Sequence, residues 1–234
     1  MYKYKTAFAL IISVIIMSAC SSNEIGESKD VAQDKIYQDY SISYSEGDSN
    51  AEIYCQFRFA GKNGTTLVLN KPSEVQFDGE KLPVDSAAAS GAYYRVYKPA
   101  GNFFTKHTII YTNTDDKKFE NSFSFDNFKL VNVPAAVSKK HDFNLSFEAP
   151  ALLADDYIEI GASNTDSSFS VTHTATDKGN FITIPAKELK RQKVKELTLE
   201  ATIYRKIPLQ QSTSEGGQMH TRFTLKPVKI KLTE

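Results

Sequence analysis

The chain has 234 residues, with 28 basic and 28 acidic side chains, so its charge balance gives no reason to expect a nucleic acid as partner. Hydrophobic residues make up 41% and charged residues 24%, which are the proportions of a globular protein and exclude wholesale disorder. Fifteen Phe and twelve Tyr stand beside no Trp, and together with the many Thr, Val and Ile this favours strands over helices.

In chain order the first feature is Met1 to Cys20. Lys3 and Lys5 give a basic start, Ala7 to Met17 is apolar apart from Ser13, and Met17-Ser18-Ala19-Cys20 closes the stretch with small residues before a cysteine. An apolar run of about eleven residues is well short of the ~20 that span a bilayer, and basic start, short core and small-residue exit are the parts of a cleaved export signal. Met17-Ser18-Ala19-Cys20 resembles the lipobox of bacterial lipoproteins. The resemblance implies removal of residues 1–19, a diacylglycerol on Cys20 that metabolic palmitate would label, and anchoring in the bacterial cell envelope. Ser21 after the cysteine, where Asp would retain an enteric lipoprotein at the inner membrane, points to the outer membrane. If Cys20 carries lipid, Cys55 is left alone and no internal disulfide forms.

Residues 20–39 read as the lipidated cysteine and a flexible tether, because Ser, Asn, Glu, Gly, Lys, Asp and Gln dominate and only Ile25, Val31 and Ile36 are large aliphatics. As a random coil, Ser21 to Asp39 would hold a folded domain roughly 25 Å from the lipid.

From Tyr40 the period becomes two. Tyr40, Ile42 and Tyr44 alternate with Ser41, Ser43 and Ser45, and Ile53, Cys55, Phe57 and Phe59 alternate with Tyr54, Gln56 and Arg58. Cys55 is thereby placed on the core face of a strand as an inert thiol. Strands are expected at Thr65 to Asn70, at Val75 and Phe77 before the hairpin signal Asp78-Gly79, at Tyr93 to Tyr97, at His107 to Thr112 and at Phe119 to Phe128. Ser86 to Gly91 reads as a loop of small residues. Pro134, in Val133 to Lys140, breaks the pattern, which restarts at Phe143, Leu145 and Phe147. It continues through Tyr157 to Ala162, Phe169 to Ala175, Phe181 to Ile184, Leu197 to Ile207 and Met219 to Leu232. In the last of these, Pro227 shifts the inward set from Phe223 and Leu225 to Val228, Ile230 and Leu232, as a bulge or an edge position would. Ala186 to Lys195 is expected to be a turn or a short surface helix. The pattern describes an all-β chain: two tandem immunoglobulin-like antiparallel β-sandwiches, 40–133 and 134–234, after the signal peptide and tether.

Sites are sparser than structure. His107, His141, His173 and His220 show no ligand spacing, and the pairs Asp115-Asp116 and Asp155-Asp156 lack the Gly and distal Glu of a calcium loop. There is no nucleophile elbow, no Cys-His pairing and no phosphate-binding glycine motif. No catalytic residue, metal or cofactor is therefore expected beyond the lipid on Cys20, and His107, His173 and Asp155 would be the groups to test for an envelope hydrolase. Tyr93, Arg95 and Tyr97 share one face of a strand. If that face is outward, two phenols and a guanidinium form a platform for sugars or a protein; if inward, the tyrosines cap a core. Lys187, Lys190, Arg191, Lys193 and Lys195 form a cationic cluster that is either a solvated face or a contact for anionic headgroups or glycans. The polar loop Leu209 to Gln218 is free to carry recognition. The expected function is a lipid-anchored, non-catalytic binding module for a glycan or an envelope protein, with a structural subunit of an envelope assembly as the alternative.

Overall fold

The computed structural model describes residues 24–163 and 167–234. The export signal and the lipobox cysteine Cys20 lie outside the described residues. The fold is all-β, built as two sandwiches that share one large sheet. The strands are β1 (Ile25–Glu27), β2 (Ile36–Ser45), β3 (Asn50–Phe59), β4 (Thr65–Val68), β5 (Glu74–Phe77), β6 (Glu80–Lys81), β7 (Val84–Ala87), β8 (Gly91–Pro99), β9 (His107–Thr112), β10 (Lys118–Phe123) and β11 (Lys129–Val131). They continue as β12 (Ala136–Ser138), β13 (Phe143–Glu148), β14 (Tyr157–Ser163), β15 (Ser168–Thr174) and β16 (Phe181–Ile184). After the helix α1 (Ala186–Arg191) come β17 (Glu196–Ile207), β18 (Gly217–Thr224) and β19 (Val228–Thr233).

Twelve strands form one sheet whose backbone order is β1-β4-β3-β2-β18-β17-β14-β15, and two smaller sheets, β10-β9-β5-β6 and β11-β13-β16, cover it. Over the first half Phe57 packs on Tyr111 with ring centroids 4.5 Å apart, and over the second Phe147 meets the ring of His173 at 4.9 Å. Burying each such aromatic or branched side chain contributes about 1.5–3 kcal/mol. The two sandwiches are joined because β2 lies parallel to β18, in register from Gln38↔Gly217 to Ser45↔Thr224. Tyr40 and its partner Met219 are both fully buried. The large sheet therefore turns the same face to both small sheets and leaves the other face outward, with Gln56, Arg58, Thr202 and Thr224 buried on it.

Local chemistry explains several elements. Asp78 and Gly79 both have positive φ, 48° and 81°, so the two-residue turn between Phe77 and its partner Glu80 has the twist a tight hairpin needs. At Gly91 a Cβ would come within 2.2 Å of Thr66 Oγ1, and that oxygen instead accepts the backbone N–H of Ala92 at 2.9 Å. Opposite β17 the chain from β18 to β19 changes register by one residue, from Thr202↔Thr224 to Leu199↔Val228. That is a bulge at residues 225–227, and it carries the inward set from Phe223 and Leu225 to Ile230 and Leu232 past Pro227.

Several expectations are corrected. The tether is structured from Glu24: β1 pairs in parallel with β4, Ile36 is fully buried, and the Gln33 amide donates to Ser28 and Val31 carbonyls at 2.6 and 2.9 Å. A polar segment with few aliphatics is ordered here by lending its backbone to an open sheet edge, which needs no hydrophobic face of its own. The small-residue segment from Ser86 to Gly91 is also partly strand, since β7 pairs with β8 as far as Ala87↔Gly91. The pairings are antiparallel except β1–β4, β2–β18 and β12–β19. Around Pro134, β11 pairs with β13 and β12 pairs with β19, so the stretch expected to separate the sandwiches is sewn into the second.

Candidate functional site

On the outward face, strand register sets side chains into rows that cross the sheet. One row runs Tyr97, Glu52, Ser43, Arg222, Tyr204, Tyr157 and Thr174, over β8, β3, β2, β18, β17, β14 and β15. The row beside it runs Arg95, Tyr54, Ser41, His220 and Lys206. Both have aromatic rings toward each end and serines on β2 between them. At ~4.8 Å per strand, Tyr97 and Tyr204 stand about 19 Å apart, with Glu52, Ser43 and Arg222 between them.

The first end contains the residues the sequence singled out. Tyr93, Arg95 and Tyr97 do lie on the face opposite the core, because Tyr94 between them is buried and its phenol oxygen accepts the Leu69 N–H at 2.6 Å. Tyr93 is nonetheless only 7% exposed: it stacks on Tyr54 at 5.1 Å and donates its hydroxyl to Asp85 at 3.0 Å. The Ser86 N–H and then that bond hold the Asp85 carboxyl below its ordinary value, and the bond to Asp85 raises the Tyr93 phenol. The Arg95 guanidinium lies 5.2 Å from the Tyr93 ring centroid and 5.7 Å from that of Tyr97, and pairs with Glu52 at 3.7 Å and Asp85 at 3.6 Å. Its charge is already answered, which leaves Tyr97, 55% exposed, as the open surface of this end.

The second end was not legible. Tyr157 and Tyr204 stack at 4.5 Å with planes 18° apart and help to line a hollow of about 280 Å³ with Ser41, His220, Arg222 and Lys206. Lys206 is paired with Asp155 at 2.8 Å. Burial pushes His220 below its ordinary value, with Lys62 and Lys206 acting the same way against Asp39 and Asp155. Beneath the hollow, Arg205 points inward and pairs with Asp126 and, at 3.1 Å, with the buried Asp156. Arg222 is exposed, and among the described residues it has no ion-pair or hydrogen-bond partner. A larger hollow of about 470 Å³ at Gly161, Ser168 and Ser170 is lined by Glu159 and Glu200 and by no cation.

The other candidates do not join this face. Lys187, Lys190, Arg191, Lys193 and Lys195 are all exposed on and after α1, which is anchored by the fully buried Leu189, and Arg191 pairs with Glu188 at 3.2 Å. The helix ends at Arg191, so Lys193 and Lys195 lie beyond it. Cys55 is fully buried, and that burial pushes its thiol far up. His107 is held by Asp78 at 2.7 Å beneath Phe103, His173 is buried against Phe147, and His141 is exposed. Among the described residues no three His, Cys, Asp or Glu side chains gather as metal ligands. Asp115 and Asp116 belong to a turn in which Asn113 Oδ1 accepts the N–H groups of Asp115 and Lys117. The loop expected to be free is strapped across the first sandwich: Gln211 Oε1 accepts Glu120 N–H at 2.9 Å, Gln210 Oε1 accepts Ser122 N–H at 2.6 Å, and Thr213 donates to Ile36 O at 2.7 Å.

No protein-family description matches the chain, and no curated protein matches it. Among solved structures it is similar to the crystal structure of DIP-gamma IG1+IG2, at 11% identity and a TM-score of 0.22, covering 85% of this chain and 95% of that one. It is also similar to SGBP-B of the Bacteroides ovatus mixed-linkage glucan utilization locus in complex with a mixed-linkage heptasaccharide. There the identity is 13% and the TM-score 0.21, over 89% of this chain and 66% of the other. Neither likeness says what this chain binds.

Proposed function

We propose that the chain is a lipid-anchored, non-catalytic binding protein of the bacterial cell envelope, at the outer membrane, and that it holds an extended glycan across the outward face of its large sheet. The observation that carries this is the row from Tyr97 to Tyr157. Rings at both ends offer flat apolar faces to sugar rings, and the serines of β2 leave depth and hydroxyls between them. A rigid sheet positions these groups without ordering a loop on binding, which removes one cost of association.

The anchor changes what that face can reach. With β1 beginning at Ile25, four residues separate Cys20 from the first strand, and four residues reach at most about 14 Å. The sandwiches are therefore held at the membrane and do not range above it. Palmitate labelling of the wild type that disappears in Cys20→Ala tests the anchor; labelling that persists would remove it. Affinity electrophoresis through neutral and acidic polysaccharides tests the face. Tyr204→Ala is expected to weaken retardation about tenfold, at the upper part of what one aromatic contact contributes, with thermal unfolding close to wild type. Retardation that survives both Tyr97→Ala and Tyr204→Ala would place binding elsewhere.

A second reading, a subunit of an envelope assembly, is favoured by β15, which at the end of the large sheet pairs on one side only among the described residues. Concentration-dependent light scattering of protein lacking the lipid would support it.

A further inference from the structure

Among the cations of the outward face Arg222 stands apart, although the carboxylates of Glu159 and Glu200 lie beyond Tyr204 on the same face. Arg95 is answered by Glu52 and Asp85, and Lys206 by Asp155. Arg222 shares its hollow with the stacked rings of Tyr204 and Tyr157 and with His220, and no described residue answers its charge. Arg222 thus lies between carboxylates: Glu52 and Asp85 two and four strand spacings away on one side, ~10 and ~19 Å, and Glu159 and Glu200 beyond Tyr204 on the other. A guanidinium presents two parallel N–H donors that match a carboxylate, and the neighbouring rings match the flat face of the pyranose that bears it.

We propose that the hollow between β17 and β18 is a subsite for a uronic acid residue of a heteroglycan, with Arg222 taking the sugar carboxylate and Tyr204 and Tyr157 packing on its ring. The carboxylates on either side of Arg222 add a second requirement. The sugars lying toward Glu52 and Asp85 are neutral, because the single guanidinium of Arg95 is already shared by two carboxylates there. A uronate spaced among neutral sugars fits this face, and an unbroken polyuronate does not. This inference rests on the glycan-binding reading of the same face and names its ligand class.

The test is affinity electrophoresis of the soluble chain through unsulfated chondroitin, hyaluronan and glucuronoxylan, each beside its carboxyl-reduced counterpart, and through polygalacturonate. The expected result is retardation by at least one of the three heteroglycans, weakened about tenfold or more by carboxyl reduction or by Arg222→Gln. Arg222→Lys, which keeps the charge and loses the fork, should fall between. Wild-type retardation should also weaken as salt rises, a readout independent of any variant. Equal binding to the reduced glycans, unchanged by Arg222→Gln, would overturn the uronate subsite and leave the glycan-binding face standing. Tighter binding to polygalacturonate than to every heteroglycan would overturn the neutral-spacer requirement. No retardation by any of these polysaccharides, acidic or reduced, would overturn both.

Discussion

Arg95 and Arg222 project from the same face of one sheet, three strands apart, and their surroundings are opposite. Arg95 lies between two tyrosine rings with two carboxylates within 4 Å, so its cluster satisfies itself. Arg222 lies beside two tyrosine rings with no carboxylate paired to it. Similar residue types thus make a closed ladder at one end and an open station at the other. Aromatic and cationic residues on an outward strand face do not by themselves mark a binding site; what marks it is the group left without a partner.

The open station depends on what lies behind it. Arg205 faces inward from β17 and ties Asp126 of the segment after β10 to Asp156 before β14, so one guanidinium fastens the floor of the hollow to both halves of the chain. Asp156 is buried, and its remaining bonds come from the N–H groups of Leu153 and Lys206, each at 2.9 Å. Arg205→Ala leaves that carboxylate without its cation, and removing one partner of a buried pair costs about 3–5 kcal/mol. Urea unfolding should show a loss of that size, the largest expected here. A loss below about 1 kcal/mol, the range of an exposed pair, would show that the two backbone N–H groups suffice and that the floor does not need its arginine.

The contrast between the two ends also explains what the sequence revealed and what it hid. Tyr93, Arg95 and Tyr97 lie on one strand, where a period of two puts them on one face, so their grouping is readable from five consecutive residues. Arg222 adjoins Ser43 only because β18 lies parallel to β2, a pairing between segments at opposite ends of the chain. No local pattern encodes that register, so the row across the junction could not be seen beforehand. The same distinction holds for the fold. The Asp78-Gly79 hairpin and the register change at Pro227 are short-range consequences of turn geometry and a missing N–H, and both were legible. The strand Ile25–Glu27 was not, because it is held by the edge of β4 and not by an amphipathic pattern of its own.

His220 offers a finer test of the open station, with a smaller expected effect. Its imidazole is set below the ordinary value, first by burial and then by Lys62 and Lys206, while Asp39 and Asp155 act the other way; Arg222 and Tyr204 flank it on the neighbouring positions of the face. A histidine depressed in the folded state binds fewer protons than in the unfolded chain, whose value is about 6.5. Stability should therefore fall as pH drops below that point. A uronate carboxylate seated at Arg222 stays ionised in this range and favours the imidazolium, which raises the depressed value in the complex. Binding then takes up a proton, so the affinity for the uronate heteroglycan should increase as pH falls from about 7 to about 5. His220→Gln, which keeps a polar side chain but cannot titrate, should flatten that rise while leaving affinity at neutral pH close to wild type. Titrations of glycan binding at several pH values decide it. A wild-type affinity that stays level, or a slope that persists in His220→Gln, would mean that the carboxylate does not sit beside His220, and the station would then have to lie on the Tyr97 side of Arg222.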